Sequence, residues 1–388
     1  MTVLTGIDRC VRYDFAPFRG MRIGLLSAIA CCDKNLTPTV SLFASARSVK
    51  LEALFAPEHG FHAAGQDQVK IPDSVYRGAT RIHSTYGRKR KPSYAALNDL
   101  DAIVIDLHDI GTRYYTFVWS AMLMIKAAAA RRKKIFILDR PNPLNGVTVQ
   151  GPLIERGFES FVGLYSVPVR HGMTIAELCT MLDHVHYIDA DITVVRIKGW
   201  PRRDYFDARH APWTVPSPNM PRFSTALVYP GMCLLEGTNV SEGRGTTTPF
   251  EMFGAPWIDP LCLARELRKK DIPGCDFRPA YFIPVFHKYQ DRLCGGLQLH
   301  VRQRNSFDPF SAGLEIIRAI RGLYPREFAW RQPPYEFERD RMPFDILCGN
   351  SWIREGIERG TTVPALRRRW QADLTRFRSL RRKYLLYA

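Results

Sequence analysis

Residues 102–139 read AIVIDLHDIGTRYYTFVWSAMLMIKAAAARRKKIFILD. The stretch opens and closes on short apolar runs, 102–107 and 135–139, rich in strand-forming residues. Between them residues 116–132 are long and apolar enough for a helix. Arg131 and Arg132 close that segment and Lys133 follows it, cations that suit a helix C-terminus. A strand–helix–strand unit pairs its strands in parallel, and strands apolar along their whole length belong in a sheet covered on both faces. Working outward, residues 21–27, 49–56 and 192–197 repeat the strand pattern. Residues 174–182 read as a helix, with Thr174 as N-cap and Glu177 three residues on. The expectation is an α/β fold built on a Rossmann-like parallel sheet. Neither GxGxxG nor GxxxxGK[ST] follows any strand, so no nucleotide cofactor is expected.

From residue 199 to 230 the chain turns rich in proline and aromatic residues, with apolar side chains interleaved, as in an ordered crossing segment. Beyond it, strand-like runs at 277–285 and 296–301 mix with helical patterns at 310–323 and 363–380. This predicts two domains: residues 1–228, Rossmann-like, and residues 229–388, smaller and α+β.

Composition narrows the classes further. Of 388 residues 46% are hydrophobic, enough for sizeable cores, which excludes global disorder. No run of 18 apolar residues exists, so no membrane partner is expected. The nine cysteines include no CxxC pair, which excludes zinc ribbons and thioredoxin-like motifs and suits reduced side chains. The N-terminal stretch has no apolar core of a secretory signal, and the expected location is the cytoplasm. Lys plus Arg is 55 against 38 Asp plus Glu, a net charge of +17. Basic clusters at 88–91, 131–134, 367–369 and 381–383 invite a nucleic-acid reading. None accompanies a recognisable nucleic-acid motif, and solvated faces and helix ends account for them, so no nucleic-acid partner is expected. An anionic small substrate fits the charge as well.

Polar residues gather just after the strands: Glu58, His59 and Gly60 after the second, Asp106, His108 and Asp109 after the third, Asp139, Arg140 and Asn142 after the fourth. In open α/β sheets ligands bind outside the carboxyl ends of the strands, so three loops aim carboxylates, imidazoles and an amide at one rim. Glu58, between Phe55 and Phe61, can serve as a proton donor or equally as a helix cap or ion-pair partner. His59 and His62 share a metal-ligand spacing, but no HExxH or carboxylate cluster completes a site, and no metal is expected. Asp109 with Arg113, Tyr114 and Tyr115 is a sugar-binding palette or a loop-pinning pair. Arg170 and His171 precede the capped helix, and Arg244 stands between Gly243 and Gly245. No GxSxG elbow is present. Glu155, Glu236 and Glu242 remain candidates for the second carboxyl that most glycosidases need.

Six motifs stand together in order: LFAPEHGF at 54–61, DIGTRYYT at 109–116, DRPNP at 139–143, PVRHGMT at 168–174, PSPNMP at 216–221, and LEGTN at 235–239 leading to GRGT at 243–246. With this set the chain resembles the exo-β-N-acetylmuramidases of the NamZ type, glycoside hydrolases long catalogued as a domain of unknown function. The resemblance runs from about Gly6 to the YLLY tail at 384–387. It implies an active site in the cleft between the two domains. It implies hydrolysis of terminal, non-reducing β-linked N-acetylmuramic acid from peptidoglycan fragments, with Glu58 as catalytic acid and His59 or His171 tuning it. Asp109, Arg113, Tyr115, Asn142, Arg170, Asn219, Glu236, Asn239, Glu242 and Arg244 are the expected substrate contacts. Arg113, Arg170 and Arg244 are fork-shaped partners for the lactyl carboxylate, and the 2-acetamido group is a possible internal nucleophile. The chain departs from the family at Ser27-Ala28-Ile29-Ala30, where the pattern has a polar Thr-Asn-Gln-Thr-like turn. That departure keeps open a silent or re-specialised amino-sugar-binding protein.

Overall fold

A computed structural model describes residues 2–388 except 68, 70, 77–79, 87–89, 210 and 211. The first half contains α1 (Gly6–Arg12), β1 (Arg22–Leu26), α2 (Thr39–Ser45), β2 (Lys50–Ala56), β3 (Ser74–Tyr76), β4 (Thr80–Ser84), α3 (Tyr94–Leu97) and β5 (Ala102–Ile105). It continues with α4 (Phe117–Ala129), β6 (Lys134–Leu138), α5 (Ile175–Val185) and β7 (Ile192–Val195). The seven strands lie in the order β3-β4-β2-β1-β5-β6-β7. All neighbours pair in parallel except β3, which runs antiparallel on the edge. The α/β expectation holds. β5 ends at Ile105, short of the apolar run; the next residue, Asp106, still donates its amide to the Leu26 carbonyl at 3.0 Å, while its carboxylate accepts Nε and Nη2 of Arg140, at 2.5 and 2.8 Å, and the Thr39 hydroxyl.

The second half begins with α6 (Phe223–Met232), β8 (Met252–Ala255), α7 (Pro260–Arg268), β9 (Cys275–Phe282) and β10 (Cys294–Val301). It ends with α8 (Pro309–Leu323), α9 (Pro343–Cys348), α10 (Trp352–Glu358) and α11 (Val363–Arg382). Here the sheet is antiparallel, ordered β8-β10-β9. One apolar core runs from Ile105 and Trp119 through Met232 to Phe253, Phe310 and Trp370, so both halves share an interior. A second cluster around Phe18, Phe43 and Phe136 fills the other face of the large sheet. Within the second half α6 and α8 cross closely. A Cβ on Gly231 would fall 1.7 Å from the Pro309 carbonyl oxygen.

Several expected surface cations are structural instead. Arg381 is 7% exposed and donates to the carbonyls of Gly146, Val147, His171 and Gly172, tying α11 to the first half. Lys133 Nζ donates to the carbonyls of Asn98 and Leu100. Arg88 and Lys89 lie outside the described residues. No described helix is long and apolar enough to cross a membrane.

Candidate active site

β2 ends at Ala56, and the chain turns sharply through His59 and Gly60, whose φ angles are 69° and 75°. Glycine meets that turn without strain. A Cβ at residue 60 would also meet Ile71 at 2.6 Å. The turn carries Glu58 into a cleft between the two halves. The first half contributes Glu58, His59, Tyr115 and Thr116, the crossing segment Ser217 and Asn219, and the second half Glu236, Arg244, Tyr335 and Glu336. Glu58 is 5% exposed, and the Thr116 hydroxyl at the start of α4 donates to its Oε2 at 2.6 Å. His59 Nδ1 lies 2.8 Å from the Gly65 carbonyl oxygen. A carbonyl only accepts, so this nitrogen carries the ring proton. Asn219 donates to Gln66 Oε1 at 2.7 Å.

Glu336, absent from the sequence-based candidates, lines the same cleft as Glu58. It sits in a turn where Glu336 and Phe337 adopt φ of 47° and 70°, and it is 5% exposed. The Tyr86 hydroxyl, after β4, donates to Glu336 Oε2 at 3.3 Å. Burial, then the charges of Glu58, Glu236 and Asp67, push Glu336 well above the usual carboxylate range. No motif in the sequence marks this glutamate. Only the approach of residues 335–337 to the end of β4 gives it a role.

Behind this pair lies a charged layer. Arg244 is 6% exposed and sits 3.1 Å from Asp67, 2.8 Å from Glu236 and 3.2 Å from Glu242. Burial alone would lower the guanidinium, but Glu236, Asp67 and Glu242 outweigh it and hold it firmly charged. Glu236 also accepts from the Tyr335 hydroxyl at 2.8 Å. Glu242 is fully buried and meets Lys288 at 2.9 Å and His287 at 3.3 Å. Burial opposes its ionisation, yet Lys288, His287 and Arg244 keep it below the usual range.

Other expected contacts lie away from the cleft, and each is a correction. Arg113 is completely buried, its fork donating to the carbonyls of Pro152, Val167 and Leu347 at 2.6–2.9 Å. Arg170 is 4% exposed and holds Gln150, the Leu144 carbonyl and the Tyr205 hydroxyl. His171 is fully buried, accepts from the Met173 amide, and is pushed down to about 3 by burial, then by Arg381 and Arg170. Asn142 bridges Met173 and Leu144 backbone groups. Asn239 pairs with the Glu327 and Ala329 backbone. Asp109 turns back on the Gly111 amide at 2.8 Å, and burial lifts it to about 7. The three loops share a rim but open on different spaces. His108 and Arg140 line a separate hollow of about 120 Å³, walled by Trp200, Tyr205 and Phe206. Ala28 is buried and lines neither space. Among the described residues no group of three or more His, Cys, Asp or Glu side chains is placed to hold a metal ion.

A Rossmann-like sheet carries the strand-end Glu58 into a cleft that Glu336 also lines, and two carboxyl groups in one cleft are what most glycosidases work with. Comparison with known proteins narrows the class. Residues 23–224 match the N-terminal domain of the exo-β-N-acetylmuramidase NamZ, and residues 227–387 its C-terminal domain. The chain belongs to this family. It is 39% identical over 386 residues to the peptidoglycan β-N-acetylmuramidase NamZ of Bacillus subtilis strain 168, covering 99% of this chain and 91% of that protein. Two crystal structures of DUF1343 family proteins from Bacteroides fragilis NCTC 9343 share the fold. One has a TM-score of 0.90 at 30% identity, the other 0.77 at 28%, each covering 100% of this chain and 99% of that one.

Proposed function

We propose that the protein is an exo-acting glycosidase that removes terminal, non-reducing β-linked N-acetylmuramic acid from peptidoglycan fragments, with Glu58 as the general acid. Family membership over nearly the whole chain supports the activity. The observation that carries the acid assignment is the pairing of two buried carboxyls, Glu58 and Glu336, in the cleft. A sugar leaving group is a poor alkoxide, so cleavage needs a proton on the glycosidic oxygen as the bond breaks. Glu58 projects from a short turn on a rigid strand, which fixes the direction of that proton. Positive charge develops on the muramyl ring at its anomeric carbon, and the carboxylates of Glu236 and Asp67 line the same cleft, where they can offset it. His59, Tyr115 and Asn219 line the same cleft and are the proposed sugar contacts. All nine cysteines are free, which suits a reducing compartment and action on fragments inside the cell.

The test compares a muramyl-β-linked disaccharide with nitrophenyl β-N-acetylmuramide and the matching glucosaminide. Glu58→Gln is expected to slow the disaccharide by about 10²–10⁴-fold. It should slow the nitrophenyl muramide far less, because nitrophenolate leaves without a proton. Equal losses on both substrates would remove Glu58 from the acid role. Tight binding of the disaccharide without turnover by the unaltered protein would replace hydrolysis with sugar binding.

A further inference from the structure

The strand order β3-β4-β2-β1-β5-β6-β7 reverses its direction of growth between β1 and β5. Ligands of open α/β sheets bind outside the carboxyl ends of the strands at such a reversal. Glu58, at the end of β2, lies one strand away from it. The crevice at the reversal is the separate hollow of about 120 Å³. Lys34 reaches it from the loop after β1, His108 from the loop after β5, and Arg140 from the loop after β6. The crossing segment divides the two spaces, with Thr214 on the hollow and Ser217 and Asn219 on the cleft. No step of the proposed hydrolysis uses the hollow.

The hollow is built as small-molecule sites are, with apolar walls and a few convergent polar groups. Trp200, Tyr205 and Phe206 supply the walls. His108 is 7% exposed, its ring 5.0 Å from that of Trp213 and 6.1 Å from that of Phe206. Its Nδ1 is 3.0 Å from the Thr214 hydroxyl, and among the described residues its Nε2 has no hydrogen-bond partner. Burial, then Arg140, pushes this imidazole down to about 3, so it is neutral at physiological pH. A neutral imidazole offers Nε2 as acceptor or donor according to its tautomer. Arg140 commits Nε and Nη2 to Asp106 and keeps Nη1. With Asp106 balancing the guanidinium, this pair suits a neutral amide better than an anion. Asp8, in the wall, is already engaged by the Thr5 amide and hydroxyl, both at 2.7 Å, and by the Lys34 amide at 2.8 Å. The exposed Lys34 also lines an open basin just outside, together with Arg12 and Lys198. An anionic group at the mouth therefore meets cations.

We propose that the hollow is a second ligand site, which takes an N-acetylated sugar acid with its acetamido group against His108 and Arg140 and its carboxylate toward Lys34. An acetamido group answers each feature of the hollow. Its N–H or carbonyl pairs with His108 Nε2, its carbonyl accepts from Arg140 Nη1, and its methyl group packs on the aromatic walls. The carboxylate then lies at the mouth, within reach of Lys34, Arg12 and Lys198. N-acetylmuramic acid, the sugar released by the hydrolysis proposed above, belongs to this class. Naming it as the natural ligand rests on that reading, whereas the chemistry of the hollow stands apart from it.

The test is calorimetric titration of the full chain with N-acetylmuramic acid, N-acetylglucosamine and glucosamine, with thermal melts to establish that each variant is folded. The Glu58 cleft can also hold these sugars, so the readout is the response to substitutions in the hollow. His108→Phe keeps an aromatic ring beside Phe206 and Trp213 and removes both nitrogens. Lys34→Glu alters only an exposed side chain and reverses its charge. His108→Phe is expected to weaken binding of N-acetylmuramic acid by about tenfold or more. Lys34→Glu should weaken it severalfold and reduce its dependence on salt. N-acetylglucosamine lacks the carboxylate and should respond to His108→Phe alone, and glucosamine to neither. Both variants should keep the kcat and KM of the muramyl disaccharide. Binding of N-acetylmuramic acid that neither substitution changes overturns the proposal, and so does its failure to bind the unaltered protein. A KM that rises in step with the loss of binding also overturns it, because the substitutions would then act through the cleft. Failure of the unaltered protein to cleave any muramide, with the response to both substitutions intact, would defeat the glycosidase reading and leave the second site standing.

Discussion

Arg113 shows how one side chain can satisfy two descriptions. Its fork matches a carboxylate, and its place beside Tyr114 and Tyr115 suggests a sugar site. The same fork matches backbone carbonyls, and in the fold it holds three of them, one of which, from Leu347, lies 234 residues away in the chain. Arg113→Lys cannot reproduce that geometry. It is expected to destabilise the protein by about 3 kcal/mol, measured by denaturant unfolding, while the KM of the folded fraction stays unchanged. Arg244 differs because it does line the cleft. Its three carboxylate neighbours make it the anchor of Glu236, Glu242 and Asp67 rather than an open anion seat. Arg244→Ala should therefore weaken muramyl and glucosaminyl ligands alike, as measured by calorimetric titration. A loss confined to muramyl ligands would return the lactyl carboxylate to Arg244.

At the scale of elements, the local rules performed well wherever neighbours in sequence are also neighbours in space. The Thr174–Glu177 capping box forms as the spacing predicts, at the start of α5. The Glu58 turn follows from a strand end meeting Pro57 and Gly60. The α6–α8 crossing was not legible, since Gly231 reads as an indifferent glycine beside Pro230 until Pro309 arrives against it. Gly231→Ala must push the helices apart, and overpacking of this kind destabilises by about 1–3 kcal/mol or more. Because α6 leads directly into the segment bearing Glu236, kcat on the muramyl disaccharide should fall together with the unfolding midpoint. A variant with normal stability and normal kcat would mean that the crossing does not position the cleft.

For the whole molecule, the shared core makes stability and pH a joint property of both halves. Asp109 is held at about 7 by burial, against an ordinary value of 3.8. Between those values the folded protein keeps a proton that the unfolded chain has lost. The contribution of this group is whole below the lower value and disappears as pH rises through the upper one. Asp109→Asn keeps an acceptor for the Gly111 amide and carries no charge. Its thermal midpoint should gain on that of the unaltered protein as pH rises from about 5 to 8. Parallel midpoints across that range would show that Asp109 is ionised in the fold.

Sequence by itself determined the strand–helix alternation, the capped helix, the family motifs and the strand-end glutamate. All of these rest on short-range chemistry: side-chain periodicity, turn residues and caps, which act over a few residues. Tertiary structure alone decided which polar groups face the cleft. Glu336 meets Tyr86 across 250 residues of chain, and Arg113, Arg170 and His171 vanish into the interior. Charge, protonation and access depend on desolvation and on partners brought from distant segments, and neither quantity is written in the neighbours of a residue along the chain.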